Sequence, residues 1–199
     1  MKKIKDFEKK LKQLCAEFDE LKDAMKKQKN KIQTPTIGGE LEIAGIKWTV
    51  LDHLEEGFLC IGESIGDRKF GKNNNWKHSE IRAFLNLEFC DKIENAISAE
   101  LPQFKRNLLT LDGQDEYGTC MKKISMITVD EYRKYRKLLP NTGKWWWTIT
   151  PDSTACNGDE RFVRVVSPSG YVSNGRYYFS RGVRPLCIFP SNIFESEEE

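Results

Sequence analysis

Three consecutive tryptophans, Trp145-Trp146-Trp147, open an apolar run that continues to Ile149. Successive side chains on a strand point to opposite faces, so a strand here needs cover on both sides. At least one face must be core, and the other must meet a second layer or a loop. Trp146, or Trp145 with Trp147, is expected to anchor that core. The competing reading is an exposed ring that stacks on a sugar or anchors a partner.

Strand patterns surround this run. Phe162 to Val166, Gly170 to Val172, Tyr177 to Phe179 and Val183 to Phe189 each read as strands. Upstream, Leu41 to Leu51 and Phe58 to Ile61 read as a hairpin turning near Glu55-Glu56-Gly57. A helix is expected to begin over Trp76 to Arg82 with Ser79 available as its cap, and Ile81, Phe84, Leu85, Phe89 and Ile93 share its face. A second is expected over Thr128 to Lys137, because Thr128 and Glu131 have capping-box spacing. Two helices followed by a C-terminal antiparallel sheet make an α+β domain.

Residues 1–32 obey a different pattern. Ile4, Leu11, Phe18, Met25 and Ile32 fall at heptad position a, with Phe7, Leu14, Leu21 and Gln28 at d. A stripe only two residues in seven wide suits a self-associating seam better than a helix lying on its own domain. In a parallel register Lys3 meets Glu8 and Glu17 meets Lys22, both attractive pairs. The expected partner is another copy of the chain through residues 4–32, with phenylalanine at both a and d favouring a trimer over a dimer. The segment holds 11 lysines against 6 acidic residues, yet the charges are interspersed and no arginine is present to read bases. Nucleic acid is therefore not an expected partner.

Gln33 to Gly39 reads as a linker, since Pro35 stops the helix and Gly38-Gly39 permits a turn. The domain then runs over residues 40–194 and ends in an acidic tail, 195–199. Across the whole chain 32 basic residues nearly balance 30 acidic ones, so electrostatics alone points to no polyanionic partner. No apolar run approaches the length that crosses a bilayer, so membrane insertion is not expected. The charged start lacks the apolar stretch of a signal peptide, which implies cytoplasmic synthesis. Six cysteines without a CxxC pair should then be reduced thiols, mostly in the core.

The usual chemical signatures are missing. There is no Gly-rich phosphate loop of either common form, no GxSxG elbow and no HExxH. Asp52 and His53 are adjacent on a strand and would point apart; His53 is expected as a turn residue. Asp112, Asp115 and Glu116 lack EF-hand spacing. Cys156 and Cys187 have no histidine in the C-terminal half to activate them. No cofactor or metal site and no catalytic residue is expected.

Four motifs occur in order: Trp76 with Ser79-Glu80-Ile81-Arg82-Ala83-Phe84-Leu85-Asn86, then Thr128-Val129-Asp130-Glu131, then Trp145-Trp146-Trp147, then Gly182-Val183-Arg184-Pro185-Leu186. Over residues 36–190 the chain resembles a family of uncharacterised bacterial and phage domains. That family is related to the C-type-lectin-like fold of formylglycine-generating enzymes and of variable proteins of diversity-generating retroelements. One departure is Thr148-Ile149-Thr150-Pro151, where the family more often has Leu-Arg-Ser-Pro. The resemblance implies a C-type-lectin-like head on the coiled-coil stalk. Arg82 and Arg184 suit partly buried, hydrogen-bonded roles under the sheet, and Gly182 and Pro185 would set the backbone on either side. The formylglycine-generating enzymes' catalytic cysteines have no counterpart here, which argues against that activity.

In such a fold the last strands and their loops form the binding face. Residues 148–181 contain 15 Asn, Asp, Ser, Thr or Tyr in 34 positions, the mixture of adaptable polar and rigid aromatic contact found in paratopes. Diversified relatives acquire these same types by mutagenesis of Asn codons, although hairpin loops are also rich in them. The candidate contacts are Thr148, Thr150, Asp152, Asn157, Asp159, Arg161, Arg164, Ser173, Asn174, Arg176, Tyr177 and Tyr178. The expectation is a non-enzymatic binding or display protein, such as a phage receptor-binding protein carried in the virion or a retroelement variable protein. It would engage a protein or another cell-surface ligand. Calcium-dependent sugar binding is not expected, because a Glu-Pro-Asn ligand motif is missing. The alternatives are an intracellular assembly module and, last, an enzyme of the formylglycine-generating type.

Overall fold

The computed structural model describes residues 10–20 and 33–194. Contacts divide the chain into residues 1–34 with 192–199, and residues 35–191. In the first unit residues 10–20 form a helix, α1, with Gln13 Nε2 bonded to Glu17 at 3.1 Å one turn on. Leu11, Leu14 and Phe18 are 54%, 63% and 65% exposed on it. The remaining seam positions, Ile4, Phe7, Leu21, Met25, Gln28 and Ile32, lie outside the described residues, as does the acidic tail.

The second unit is an α+β body. Strands β1 (Glu40–Ile43), β2 (Ile46–Leu54) and β3 (Gly57–Gly62) lead to a short β4 (Asp67–Lys69). Helices α2 (Glu80–Leu85) and α3 (Glu88–Ile97) follow, then β5 (Phe104–Asn107), β6 (Thr119–Lys122) and β7 (Ile124–Ser125). Helix α4 (Val129–Tyr135) precedes β8 (Trp146–Pro151), β9 (Phe162–Val166), β10 (Val172–Arg176), β11 (Ser180–Gly182) and β12 (Leu186–Pro190). They build one sheet in the order β1-β2-β3-β12-β7, a second in the order β10-β9-β8-β11-β4, and a β5-β6 ribbon. Among the described residues no helix is long and apolar enough to cross a membrane.

Local chemistry sets several of these elements. Ser79 Oγ accepts the Arg82 N–H at 3.0 Å and starts α2. Thr128 and Glu131 close the capping box of α4 from both sides. The helix expected to continue from Trp76 breaks instead into α2 and α3, with Asn86 ending α2 and bonding across to Ile124. Leu41 to Leu51 is two strands rather than one, because Ala44 (φ 56°) and Gly45 (φ 71°) make a left-handed turn between β1 and β2. Gly57 is required where it stands: a Cβ there would lie 2.1 Å from Phe189 O. Of the expected linker 33–39, the end is tied to the body, since the Gly38 N–H donates to Val50 O at 2.9 Å.

The antiparallel sheet is not confined to the C-terminal part. β12 pairs along its whole length with β3, so the last strand closes a sheet begun by the first three. Central β8 carries Trp146 and Trp147, with Trp145 just ahead of it, and both its faces are covered. Trp146 lies in a core with Leu51, Ile61, Ile127, Tyr132, Val166 and Ile188, its ring edge-on to Tyr132 at 5.6 Å. Trp147 is fully buried on Phe70, at 5.6 Å, and its indole N–H donates to Arg68 O. Gly175 of β10 has no side chain because a Cβ would press within 3.2 Å of the Trp147 ring.

Arg184 is 4% exposed, with Nε donating to Gly62 O at 2.9 Å and the guanidinium 5.1 Å from the Trp146 ring. Its Nη1 is buried without a partner, so only part of the expected hydrogen bonding is made. Burial pulls its pKa down to about 10. Arg82 likewise leaves its buried Nε unbonded.

Candidate binding surface

The candidate contacts separate according to strand position. Thr148 and Thr150 are buried, which removes them from any surface. β8 is the middle strand of its sheet, and the face bearing these threonines lies beneath Ile127 and the start of α4. Thr148 Oγ1 donates to Arg164 O at 2.8 Å, and Thr150 Oγ1 accepts the Val129 N–H at 2.9 Å. Both are scaffold residues. Ser173 is half-buried on the Gly175 face of β10, opposite the face that carries Asn174 and Arg176.

The other candidates form three groups. Asp152 accepts from Arg164 at 2.7 Å and from Asn174 at 3.3 Å, joining the end of β8 to β9 and the edge strand β10. Asn157 belongs to a loop network, donating to Ser153 Oγ at 3.2 Å and to Asp112 at 3.4 Å. Asp112 also accepts from Thr110 and Gln114, and the Thr110 hydroxyl chiefly holds its carboxyl below the ordinary range. The third group is Asp159, Arg161, Arg176, Tyr177 and Tyr178. Asp159 pairs with Arg161 at 3.1 Å, and Arg176 Nη1 donates to the Tyr178 hydroxyl at 2.7 Å.

The third group is part of something larger. Tyr177 to Phe179 is a turn, not a strand, with the Phe179 N–H closing onto Arg176 O at 2.9 Å. The turn leaves Tyr178 and Phe179 40% and 42% exposed, where a strand would bury alternate rings. From there side-chain contacts run in both directions. On one side Arg176 lies 5.7 Å from the Phe162 ring, with Arg161 5.6 Å from the same ring. On the other, Tyr178 meets Phe179 edge-on at 5.0 Å, and Arg181 lies 5.3 Å from Phe179 and 5.9 Å from Trp145. Trp145 meets Tyr171 at 5.6 Å, and Tyr171 is 57% exposed. One ridge of arginines and aromatic rings therefore runs from Arg161 to Tyr171. Phe162, Tyr171, Phe179, Arg181 and Trp145 were not among the candidate contacts. For Phe179 and Arg181 the signal was the cluster of arginines and aromatics over 176–181, hidden by reading 177–179 as a strand; Phe162, Tyr171 and Trp145 carried no local signal.

Reactive groups elsewhere are occupied or quenched. Asp52 is held below the ordinary carboxylate range by hydrogen bonds from Lys134 and Tyr135. His53 is a strand residue, not a turn residue, and stacks on Phe58 at 4.4 Å. Cys60, Cys90 and Cys187 are buried, and burial pushes the Cys90 thiol up to about 11. Cys156 is exposed 2.8 Å from Glu116, whose carboxylate raises its pKa and disfavours the thiolate. Among the described residues no three His, Cys, Asp or Glu side chains come together as a metal site. A cleft of about 570 Å³ is lined by Ile46, Glu63, Phe84, Glu88, Phe89 and Lys92 among others, and none of the candidate contacts reaches it. Comparison of the chain with protein-family models, with curated proteins and with solved structures finds no match.

Proposed function

We propose that this chain is a non-enzymatic binding protein, a C-type-lectin-like head on a trimeric coiled-coil stalk. In this reading it engages its ligand through the ridge formed by the β10–β11 turn and its flanking strands, as a phage receptor-binding or retroelement variable protein would. The observation that carries the reading is the ridge itself. It concentrates Tyr, Trp and Arg, the residue types that dominate binding hot spots, on one exposed surface. The three buried thiols and the hydrogen-bonded Asp52 are arranged for stability rather than reaction, which favours binding over catalysis.

Arg176→Ala and Tyr178→Ala in the full-length chain are expected to leave thermal stability nearly unchanged, within about 0.5 kcal/mol, as exposed substitutions do. Each should weaken binding to bacterial cell-envelope fractions by about 2 kcal/mol, the threshold of a hot spot. Unfolding of the head by either change would make the ridge scaffold and withdraw the reading.

The stalk has its own test. Leu11, Leu14 and Phe18 leave apolar surface uncovered on α1, and a partner helix would bury it. The full-length chain is expected to sediment as a trimer, and Leu11→Asp with Leu14→Asp as a monomer, because a charge in a packed seam is costly without a counter-charge. A monomeric parent chain removes the stalk.

A further inference from the structure

In the β4–β11 register Arg68 stands directly opposite Arg181. Directly opposed residues of an antiparallel pair share a face, and like charges there repel. Internal carboxylates would relieve this, yet among the described residues none is paired with Arg68, Arg176 or Arg181. Aromatic groups hold these side chains instead. Arg68 lies 3.6 Å over the Phe84 ring, Arg181 packs on Phe179 and Trp145, and Arg176 bonds the Tyr178 hydroxyl. A guanidinium stacked by its face keeps its N–H donors in its own plane, free to meet a carboxylate at the edge. In Arg181 the Nε is buried and Nη1 donates to Ser180 O at 3.2 Å, which leaves Nη2 to meet a carboxylate.

We propose that the ridge binds an acidic polypeptide segment. Its Asp or Glu carboxylates pair with Arg68, Arg176 and Arg181, and its apolar side chains pack against Tyr178 and Phe179. This rests on the ridge being the binding face, and it names the chemistry of the partner. Charge complementarity selects an anion, and the ring geometry selects a polypeptide over a nucleic-acid strand. Tyr178 meets Phe179 at 75°, and Tyr171 meets Trp145 at 88°. In each edge-on pair the edge of one ring closes a face of the other, so these rings do not lie parallel as a base-stacking platform requires. Asp159 on the same ridge would repel a continuous phosphate backbone, while a peptide can space its carboxylates to avoid it.

The test is selection of a phage-displayed random peptide library on the immobilised full-length protein, with a thymidine oligonucleotide titrated in parallel. Enriched peptides should carry an excess of Asp and Glu over the unselected library, and their affinity should fall as sodium chloride is raised. Arg176→Glu and Arg181→Glu, each checked by melting temperature, should weaken the best peptide by about 30-fold or more, as reversal at a close charge pair does. Arg181→Gln supplies the milder variant if the reversal unfolds the head. Neutral or basic peptides that these substitutions still abolish would overturn the acidic partner and leave the binding face standing. Peptides indifferent to all three substitutions, or no enrichment, would overturn both. Tighter binding of the oligonucleotide than of any peptide would overturn the choice of partner.

Discussion

Trp146→Ala is expected to destabilise the head by about 3–5 kcal/mol, the cost of deleting a packed aromatic ring. The ring is 3% exposed in the core between α4 and the two sheets, so the cavity has rigid walls on several sides. It also meets Tyr132 edge-on and lies under the Arg184 guanidinium. Removing it takes away an aromatic contact and a ring beside a buried charge that already lacks one hydrogen-bond partner. For a body of this size each kcal/mol moves the melting temperature by about 2–4 °C, so calorimetry resolves the effect easily. Trp145→Ala is the internal control: its ring is half-buried on the ridge against Tyr171 and Arg181, and it should cost much less. Equal melting temperatures for Trp146→Ala and the parent would mean that the central strand is not packed as described.

The contrast between neighbouring tryptophans shows what the sequence could and could not convey. That β8 would be covered on both faces followed from the alternation of strand side chains, and Trp146 and Trp147 do face separate packing partners. The caps at Ser79 and Thr128 were legible because capping is chemistry between residues three apart. Readings failed where partners are remote. Thr148 and Thr150 look like surface residues by type, and remote partners take them up: Arg164 O for Thr148 and the Val129 N–H for Thr150. The pairing of β12 with β3 joins residues more than 120 apart, which periodicity cannot foresee. Aromatic content made 177–179 look like a strand, but β-propensity measures fit to a half-buried pleat, and these residues turn at the surface. The ridge was only partly visible for the same reason: sheet order brings Arg181 to Trp145 and the packing of α2 brings Phe84 to Arg68, and neither follows from spacing.

Arg106→Ala is expected to cost about 3 kcal/mol at neutral pH, the low end of the penalty for stranding one member of a buried ion pair, because Glu131 keeps a quarter of its side chain in solvent. Arg106 on β5 is 2% exposed and makes four hydrogen bonds to three groups. Its Nη1 and Nη2 fork onto Glu131 at 2.6 and 2.5 Å, Nη2 also donates to Met126 O at 3.0 Å, and Nε to Ser125 Oγ at 3.1 Å. One side chain thus ties the β5–β6 ribbon to β7 and to the first turn of α4. The pH dependence separates this role from simple packing. Burial pushes the Glu131 carboxyl up, but the hydrogen bonds and charge of Arg106, with help from Thr128, hold it below its ordinary value. A carboxyl whose folded pKa is depressed adds stability above its unfolded value of about 4.3 and loses it as the pH falls through the folded value. In Arg106→Ala the burial remains and the compensation is gone, so the folded pKa should rise above the unfolded one and the sign should invert. The variant's deficit is then largest near pH 7 and shrinks as the pH falls toward 4, because protonated Glu131 no longer needs a cation. Urea titrations of both proteins at pH 7 and pH 4 decide it. A deficit that stays constant between those pH values, or one below about 1 kcal/mol as for an exposed pair, would show that Glu131 does not depend on Arg106 for its charge.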